Sequence, residues 1–385
     1  MLIGKGWRVV LLTGVILGLL ACALPQVRAQ DRLFLPVTVE LLDWYSLPQQ
    51  EFQGTTVAGL SALAYDSERD RFYALSDDRG QFGPSRFYEL ALTFASSQAG
   101  QPGFQGVSIT KVTPLKDPQG NPYGQGSLDP EGMALSAPGH LFISSEGGGQ
   151  QNVPPLIGEF DQTTGQILRN LPLPQRFLPA DRSVAPPRGV RNNLSFEAVA
   201  VSPPASAANL REPFRLFAVT ESALVQDYDD DPTHPLHSRF LHYLVGPDQV
   251  SLIAEHAYPL DLEPTGAIVH GVSDLTAIDQ AGHFLALERS YGLRGFGVKL
   301  YQLATGGATD TSNRPSLAGN LEGVTPIRKR LVFDFASVPF AIDNLEAITL
   351  GPRLPDGSQS LILATDNNFQ STTATQLILL RLHWS

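Results

Sequence analysis

Short apolar runs separated by tight turns dominate the hydrophobic pattern of this chain. In the stretch DPEGMALSAPGHLFISSEGGG, two such runs, Gly132–Leu135 and Leu141–Ile143, flank a Pro-Gly turn. Each run is too short for a helix, and the turn is typical of a β-hairpin. Because hairpin strands are antiparallel, we expect Glu131 before the first run and Glu146 after the second to lie at the same edge of one sheet.

This hairpin pattern recurs five times, about every 70 residues. The first strand of each copy begins near a hydroxyl or acidic residue, at Ser61, Glu131, Glu197, Asp274 and Glu346. The second strand of each copy ends in an acidic residue, at Asp77, Glu146, Glu221, Glu288 and Asp366. A repeat of this length with four predicted strands indicates a β-propeller.

The strand count predicts how the ring of repeats closes. The first four copies supply four strands each, the fifth supplies three, and one further strand is predicted at 36–45. This N-terminal strand would complete the fifth blade and leave no large open edge. The sequence therefore predicts an all-β fold, a β-propeller of five four-stranded blades over residues 30–385. A six-bladed ring, with a further blade within 203–272 or 304–345, is the alternative.

The first 29 residues have the features of a secretory signal peptide. Lys5 and Arg8 precede an apolar run, and Val27-Arg28-Ala29 places small residues where a signal peptidase cuts. We expect residues 1–29 to be removed and the protein to be exported, either periplasmic or secreted. The alternatives are a lipoprotein anchored through Cys22 and a membrane anchor, although the apolar run is shorter than the ~20 residues of a span.

The charge of the chain restricts its partners. With 27 Lys and Arg against 38 Asp and Glu, the net charge is −11 at pH 7. An acidic protein is a poor partner for nucleic acid or for an anionic membrane surface. The sequence also has no HExxH, GxSxG, P-loop or zinc-type spacing, so neither a serine esterase nor a zinc hydrolase is indicated.

The repeats are expected to gather carboxylates at one mouth of the central channel. The first strand of each propeller blade lines the channel, so the leading and closing positions of all blades face the same end. Crowded carboxylates need compensation, which hard cations such as Ca²⁺, arginines or backbone amides provide. An alternative is that each acid has a structural role and ties one blade to the next.

At these repeats the chain resembles the phytase-like family, also described by the "esterase-like activity of phytase". The matching segments are DPEGMAL with FISSEGG, SFEAVAVSP with FAVTES, VSDLTAID with FLALERSYG, and NLEAITLGP with LILATDNNF. Repeated Glu and Asp residues mark the family and are proposed to carry an esterase or phosphoesterase activity. Ser61 of the first copy departs from this acidic pattern.

The resemblance also invites comparison with calcium-dependent β-propeller phytases, in which acidic side chains hold Ca²⁺ ions that bind phosphate and activate water. It implies a metal-assisted hydrolase of phosphate esters or phosphodiesters, with calcium as cofactor and a small phosphoester as substrate. The alternative is a non-catalytic β-propeller that binds a ligand or protein at its acidic mouth. In either case, we expect a closed ring to be a monomer without a membrane span.

Each candidate residue receives an expected role. The predicted catalytic residues, acting as cation ligands or as the general base, are Glu131, Glu197, Asp274 and Glu346. The further predicted metal ligands are Asp77, Glu146, Glu221, Glu288 and Asp366. The predicted phosphate-binding residues are Arg79, Arg191 and Arg289.

Overall fold

The computed structural model describes residues 33–96, 101–136, 139–147, 153–179, 187–203 and 212–384. Every described strand lies within one compact unit, Pro36–Ser385. The predicted signal peptide, including Cys22, lies outside the described residues, as does Pro138 of the first hairpin. Within the described ranges, no helix has both the length and the hydropathy needed to cross a membrane.

The described residues form five antiparallel sheets of four strands and one two-stranded ribbon. The chain begins with β1 (Val37–Leu47) and the ribbon of β2 (Gln50–Phe52) and β3 (Thr55–Val57). Blade one contains β4 (Leu60–Asp66), β5 (Arg71–Ser76), β6 (Arg86–Ser96) and β7 (Pro102–Pro114). Blade two contains β8 (Pro130–Leu135), β9 (His140–Ser145), β10 (Leu156–Asp161) and β11 (Ile167–Asn170).

The remaining three blades follow in the same order along the chain. Blade three contains β12 (Phe196–Val201), β13 (Phe214–Thr220), β14 (His237–Val245) and β15 (Val250–Pro259). Blade four contains β16 (Ala267–Ala277), β17 (His283–Gly292), β18 (Gly295–Ala304) and β19 (Arg328–Asp334). Blade five contains β20 (Asn344–Arg353), β21 (Gln359–Asp366) and β22 (Thr375–Trp384), with β1 as its fourth strand.

The ring closes through the N-terminal strand, as the sequence predicts. Strand β1 pairs antiparallel with β22, from Val37 opposite Trp384 to Leu47 opposite Thr375. The first strands of neighbouring blades contact one another all the way round, including β20 of blade five against β4 of blade one. The protein is therefore a five-bladed β-propeller, and the six-bladed alternative is wrong.

Apolar side chains from neighbouring blades pack together and hold the ring in shape. Between blades three and four, Phe217 and Phe240 pack against Phe284, with ring centroids 4.7 and 5.4 Å from that of Phe284. Fully burying one such side chain stabilises the fold by about 1.5–3 kcal/mol. Close to the channel the backbones themselves approach, since a Cβ on Gly132 of blade two would lie 2.5 Å from the carbonyl oxygen of Glu197 in blade three.

A β-bulge interrupts the first strand of every blade at the same place. In blade three, Phe196 pairs with Thr220 and Ala198 pairs with Val219, so Glu197 is the extra residue. The residues at this bulge position in the five blades are Ser61, Glu131, Glu197, Ser273 and Glu346. A bulge re-aims the side chain of its extra residue, and here the same device operates in all five blades.

Candidate functional site

A second equivalent position lies just beyond the end of the second strand in blades one to three. In these blades, the amide of this residue donates to the carbonyl of the residue preceding the first strand, at 2.6–3.0 Å. In blades four and five, the equivalent residues pair with Gly271 and Asn344 inside the ladder. We call this the closing position, and its occupants are Asp77, Glu146, Glu221, Arg289 and Asp366.

The bulge and closing positions together gather carboxylates around the channel. Asp129, which precedes β8, joins them because its carboxyl group hydrogen bonds to that of Glu131. We call the resulting set the acidic ring, which consists of Asp77, Asp129, Glu131, Glu146, Glu197, Glu221, Glu346 and Asp366. Most of its members are buried, although Asp77 and Glu131 keep partial exposure.

Arg289 compensates one side of the acidic ring. Its guanidinium, only 12% exposed, bonds to Glu221 at 2.9 Å and also to the Glu346 carboxylate. A third carboxylate, that of Glu197, lies 3.9 Å away, and the Asn344 side chain accepts a further hydrogen bond. Burial alone would lower the pKa of Arg289, but these three carboxylates raise it above its ordinary value. Arg289 is therefore a fixed cation inside the ring.

The opposite side of the acidic ring has less compensation. Arg79 pairs with Asp129 at 2.6 Å and donates to Asn193 at 2.6 Å, and its side chain is 52% exposed. Asp77 Oδ1 is buried and has no hydrogen-bond partner among the described residues. Ser195 donates its backbone amide to Glu146 at 2.5 Å. Among the residues that the structure describes, two arginines thus form ion pairs with carboxylates among the eight of the acidic ring.

The crowding of carboxylates changes their protonation. Burial, together with the neighbouring Asp129, Glu197 and Glu146 carboxylates, raises the pKa of Glu131 well above its usual range. Burial and the same kind of repulsion also raise the pKa values of Glu146 and Glu197. For Asp366, burial and the Glu346 charge raise the pKa to about 8. The shared cause, burial beside other carboxylates, favours the protonated form of each of these groups.

Two groups of three carboxylates have the spacing of a cation site. One oxygen from each of Asp129, Glu131 and Glu146 lies within 4.8 Å of the other two. The same holds for Glu146, Glu197 and Glu221, so Glu146 belongs to both groups. Two oxygens on opposite sides of one Ca²⁺ lie about 4.6–5.2 Å apart, since each is bound at 2.3–2.6 Å. These donor sets therefore fit a hard divalent cation.

Asp274 lies outside the acidic ring, in contrast to its predicted position. The bulge of blade four falls on Ser273, so the side chain of Asp274 points to the other face of the strand. There it accepts hydrogen bonds from the amides of Leu275 and Ile348, both at 2.8 Å. Burial raises the pKa of Asp274, while these two amides favour its charged form. Its contacts tie blade four to blade five.

Glu288 also lies apart from the acidic ring. Arg289, the next residue, occupies the closing position of blade four, and Glu288 faces the opposite side of β17. Its carboxylate accepts from Tyr258 Oη at 2.7 Å and from Lys329. Burial opposes ionisation of Glu288, but the nearby His270 and the hydrogen bonds from Lys329 and Tyr258 lower its pKa.

The three predicted phosphate-binding arginines have different surroundings. Arg289 is held among carboxylates, as described above, and Arg79 lies at the partly exposed rim. Arg191 lies 4.6 Å above the ring of Tyr228, in a cation–π contact. The Glu221 charge favours the charged form of Arg191, although burial lowers its pKa. Of the two arginines that bond to acidic-ring carboxylates, Arg79 has a more exposed side chain than Arg289.

Sequence reasoning missed Asp129 as a member of the site. It stands two positions before a bulge residue, in the tripeptide Asp-Pro-Glu, as Asn344 does in Asn-Leu-Glu. Blade three has Ser-Phe-Glu at the same place, so a polar residue two positions before the acid is a signal that could have revealed Asp129.

The fold and the site define a class of protein, the five-bladed β-propeller with a carboxylate ring at one end of its channel. The chain belongs to the phytase-like family, described as "Esterase-like activity of phytase", which matches residues 55–369. This confirms the resemblance seen in the repeats. A comparison with curated protein sequences gives no match.

Solved structures show a weak similarity to the chain. The catalytic domain of a GH62 α-L-arabinofuranosidase from Coprinopsis cinerea has a TM-score of 0.40 and 10% identity, covering 91% of this chain and 98% of that one. An α-L-arabinofuranosidase of Podospora anserina in complex with cellotriose has a TM-score of 0.35 and 7% identity, covering 89% and 96%. The Neurospora crassa Pan2 WD40 domain has a TM-score of 0.33 and 5% identity, covering 89% and 95%.

Proposed function

We propose that this protein is an exported, metal-assisted hydrolase of phosphate esters or phosphodiesters that acts at the acidic ring. Family membership supports an esterase-like activity. The observation that carries the proposal is the pair of three-carboxylate groups sharing Glu146, whose oxygens lie within 4.8 Å of one another. All their donors are oxygens, which Ca²⁺ prefers.

The proposed roles follow from exposure and position. Asp129, Glu131 and Glu146 would hold the cation, with Glu197 and Glu221 as the second set of ligands around the shared Glu146. A bound divalent cation supplies charge stabilisation for a phosphoryl group and lowers the pKa of coordinated water. Glu131 is partly exposed, so it would receive the proton of the attacking water as the bond from phosphorus to the alcohol oxygen breaks. It would then return this proton to the departing alkoxide.

Arg79 is the proposed phosphate-binding residue. Its exposed guanidinium bonds to Asp129 in one of the two carboxylate groups, and spare N–H donors remain for a substrate oxygen. Arg289 would act differently, because three carboxylates already surround it. It would hold the far side of the ring in place and limit the number of cations that the channel takes up.

Calcium titration of the EDTA-treated protein tests the cation site. We expect calorimetric binding of Ca²⁺ in the micromolar range and a rise in melting temperature with added Ca²⁺, because a ligand that binds only the folded state stabilises it. Glu146→Gln should weaken this binding at least tenfold, since Glu146 belongs to both groups. The control is Glu40→Gln, an exposed acid on the outer strand β1 that pairs with Arg381.

Hydrolysis of bis(p-nitrophenyl) phosphate in the presence of Ca²⁺ tests the activity. We expect turnover that EDTA abolishes and that Glu146→Gln lowers at least tenfold, while Glu40→Gln leaves it unchanged. If Ca²⁺ neither binds nor alters the melting temperature, the cation site is refuted. If Ca²⁺ binds but no phosphate ester is hydrolysed, the hydrolase proposal fails and the cation site stands.

A ligand-binding propeller without catalysis is the second candidate function. The arrangement around Arg289 favours it, since one buried arginine and the Asn344 amide already partner Glu221 and Glu346. In this case the carboxylates would mainly hold the blades together. Binding of Ca²⁺ that is unaffected by Glu146→Gln, without any esterase activity, would favour this candidate.

A further inference from the structure

A cavity of about 450 Å³ lies beside blade four, and none of the acidic-ring residues lines it. Pockets of about 300–1,000 Å³ commonly bind small molecules. Its walls come from β18, from the segment after β15 and from the segment between β19 and β20. The apolar part of the lining includes Leu262, Phe296, Phe335 and Phe340.

The floor of this cavity is a compensated ion network. Lys329 bonds to Asp261 at 2.8 Å and also to Glu288, and its ammonium lies 4.4 Å above the ring of Tyr301. Asp261 accepts a further hydrogen bond from Tyr301, and its amide donates to Glu288 at 3.1 Å. Because each floor carboxylate already has donors, the floor has little capacity left for a cationic ligand.

The donors that remain for a ligand are basic. Lys299 lies at the rim with 44% of its side chain exposed, and its one carboxylate partner among the described residues is Asp261, at 3.1 Å. His270 also lines the cavity, with Nε2 at 3.7 Å from Glu288, beyond hydrogen-bond distance. The third lining carboxylate, Asp334, accepts from the amide of Ala336 at 2.9 Å.

We propose that this cavity is a second binding site, for a small amphipathic anion with an apolar body and an acidic head group. The apolar body would lie against the phenylalanines of the wall, and the head group would bond to Lys299 and His270. Burying the apolar body supplies about 25 cal/mol for each Å² removed from water. This site is independent of the hydrolase proposed for the acidic ring.

Trp44 provides a reporter for the cavity. Its indole stacks on Phe340, a wall residue, with ring centroids 4.8 Å apart and planes inclined by 27°. The probe is 1-anilinonaphthalene-8-sulfonate, which combines an aromatic body with an anionic group and fluoresces in apolar surroundings. We expect saturable binding to one site and energy transfer from tryptophan to the bound probe. Trp44→Phe should lower this transfer while binding under direct excitation persists.

Two variants test whether the probe binds in this cavity. Lys299→Met should weaken its binding about tenfold, since the head group loses a charge-assisted hydrogen bond. Val338→Trp should abolish binding, because Val338 is a partly buried wall residue and the larger side chain fills the cavity. The matched control is Lys111→Met in blade one, where a lysine of similar exposure (40%) pairs with Glu89. It should bind the probe as the unaltered protein does.

Competition tests the charge of the head group. Decanoate should displace the probe at a concentration at least tenfold lower than decyltrimethylammonium, which has the same tail and the opposite charge. The proposal is overturned if no saturable binding is found, or if the ammonium competes as well as the carboxylate. It is also overturned if Lys299→Met binds the probe like the Lys111→Met control, an outcome that does not depend on Val338→Trp folding.

Discussion

Arg289 occupies a position at which the other four blades carry an acid. Its guanidinium bonds to Glu221 and Glu346 and lies 3.9 Å from Glu197. Removing one partner from a buried ion network costs about 3–5 kcal/mol, because the other charges are left without compensation. Arg289 therefore stabilises the ring more than any exposed arginine of the site does.

The variant Arg289→Met tests this role. We expect the free energy of unfolding in urea to fall by about 3 kcal/mol in Ca²⁺-free buffer. The control is Arg79→Met, whose guanidinium is 52% exposed and should contribute less than about 1 kcal/mol. Equal losses for the two variants would contradict the view that Arg289 is the internal cation of the ring.

We expect Asp274 to contribute to stability and not to Ca²⁺ binding, in contrast to Glu146. The Asp274 carboxylate accepts two backbone amides at 2.8 Å, away from the ring. We propose that it is structural, so Asp274→Asn should lower the free energy of unfolding by about 1–3 kcal/mol and leave Ca²⁺ affinity unchanged. Urea denaturation and calorimetry on Asp274→Asn and Glu146→Gln would show this. A loss of Ca²⁺ affinity in Asp274→Asn would place Asp274 among the ligands after all.

In blades one, two, three and five, the residues aligned from the sequence lie at the bulge and closing positions. In blade four the sequence alignment was displaced by one residue. In blade four the tripeptide is Val-Ser-Asp where blade three has Phe-Glu-Ala. Aligning the acids put Asp274 and Glu288 in the ring, whereas the bulge falls on Ser273 and brings Arg289 forward. Side chains alternate between the faces of a strand, so a shift of one residue reverses their direction. A bulge leaves no mark in the hydrophobic pattern that would show this.

The bulged first strand is the element that positions the site. Each blade contributes one extra residue at its bulge, and the closing position of the second strand lies beside it. Most strand positions follow from the hydrophobic alternation, including the strand predicted at 36–45, which the structure has as β1 (Val37–Leu47). The ribbon of β2 and β3 was not predicted, because three-residue strands have no alternation to detect.

The pairing of β1 with β22 is open to a direct test by cross-linking. Thr38 and His383 are exposed and directly opposite each other, so cysteines at these positions are close enough for a disulfide. In a Cys22→Ser background, Thr38→Cys with His383→Cys should raise the melting temperature when oxidised. Such a cross-link is worth several kcal/mol, about 4.7 for a 100-residue loop, and reduction should reverse the gain.

A matched pair out of register serves as the control for this cross-link. Glu40→Cys with His383→Cys joins residues that are not opposite each other in the ladder. It should form the disulfide more slowly and stabilise less. Equal cross-linking of both pairs would mean that β1 does not hold the register described above.

The raised pKa values of the acidic-ring carboxyl groups link the stability of the fold to pH. The pKa of Asp366 is about 8 in the folded state against 3.8 ordinarily, and those of Asp77, Glu131 and Glu146 are raised as well. Between these values the folded state holds more protons than the unfolded state, so stability falls as pH rises. Each such group contributes about 1.4 kcal/mol for each pH unit.

We therefore expect the melting temperature of the EDTA-treated protein to fall between about pH 5 and pH 8. Added Ca²⁺ should reduce this slope, because a cation favours the ionised carboxylates. Calorimetric scans at several pH values, with and without Ca²⁺, would measure both effects. A melting temperature that rises across this range in EDTA would show that the ring carboxylates are already ionised without a cation.

Closure by β1 also governs when the protein can finish folding. Strand β1, which precedes every other described strand along the chain, pairs only with β22, which follows all of them. Blades one to four can each form from their own consecutive strands as synthesis proceeds, but blade five must wait for both ends of the chain. Contacts so distant in sequence form late and slowly. The nascent propeller therefore remains an open arc, without its complete channel, until β22 has been released.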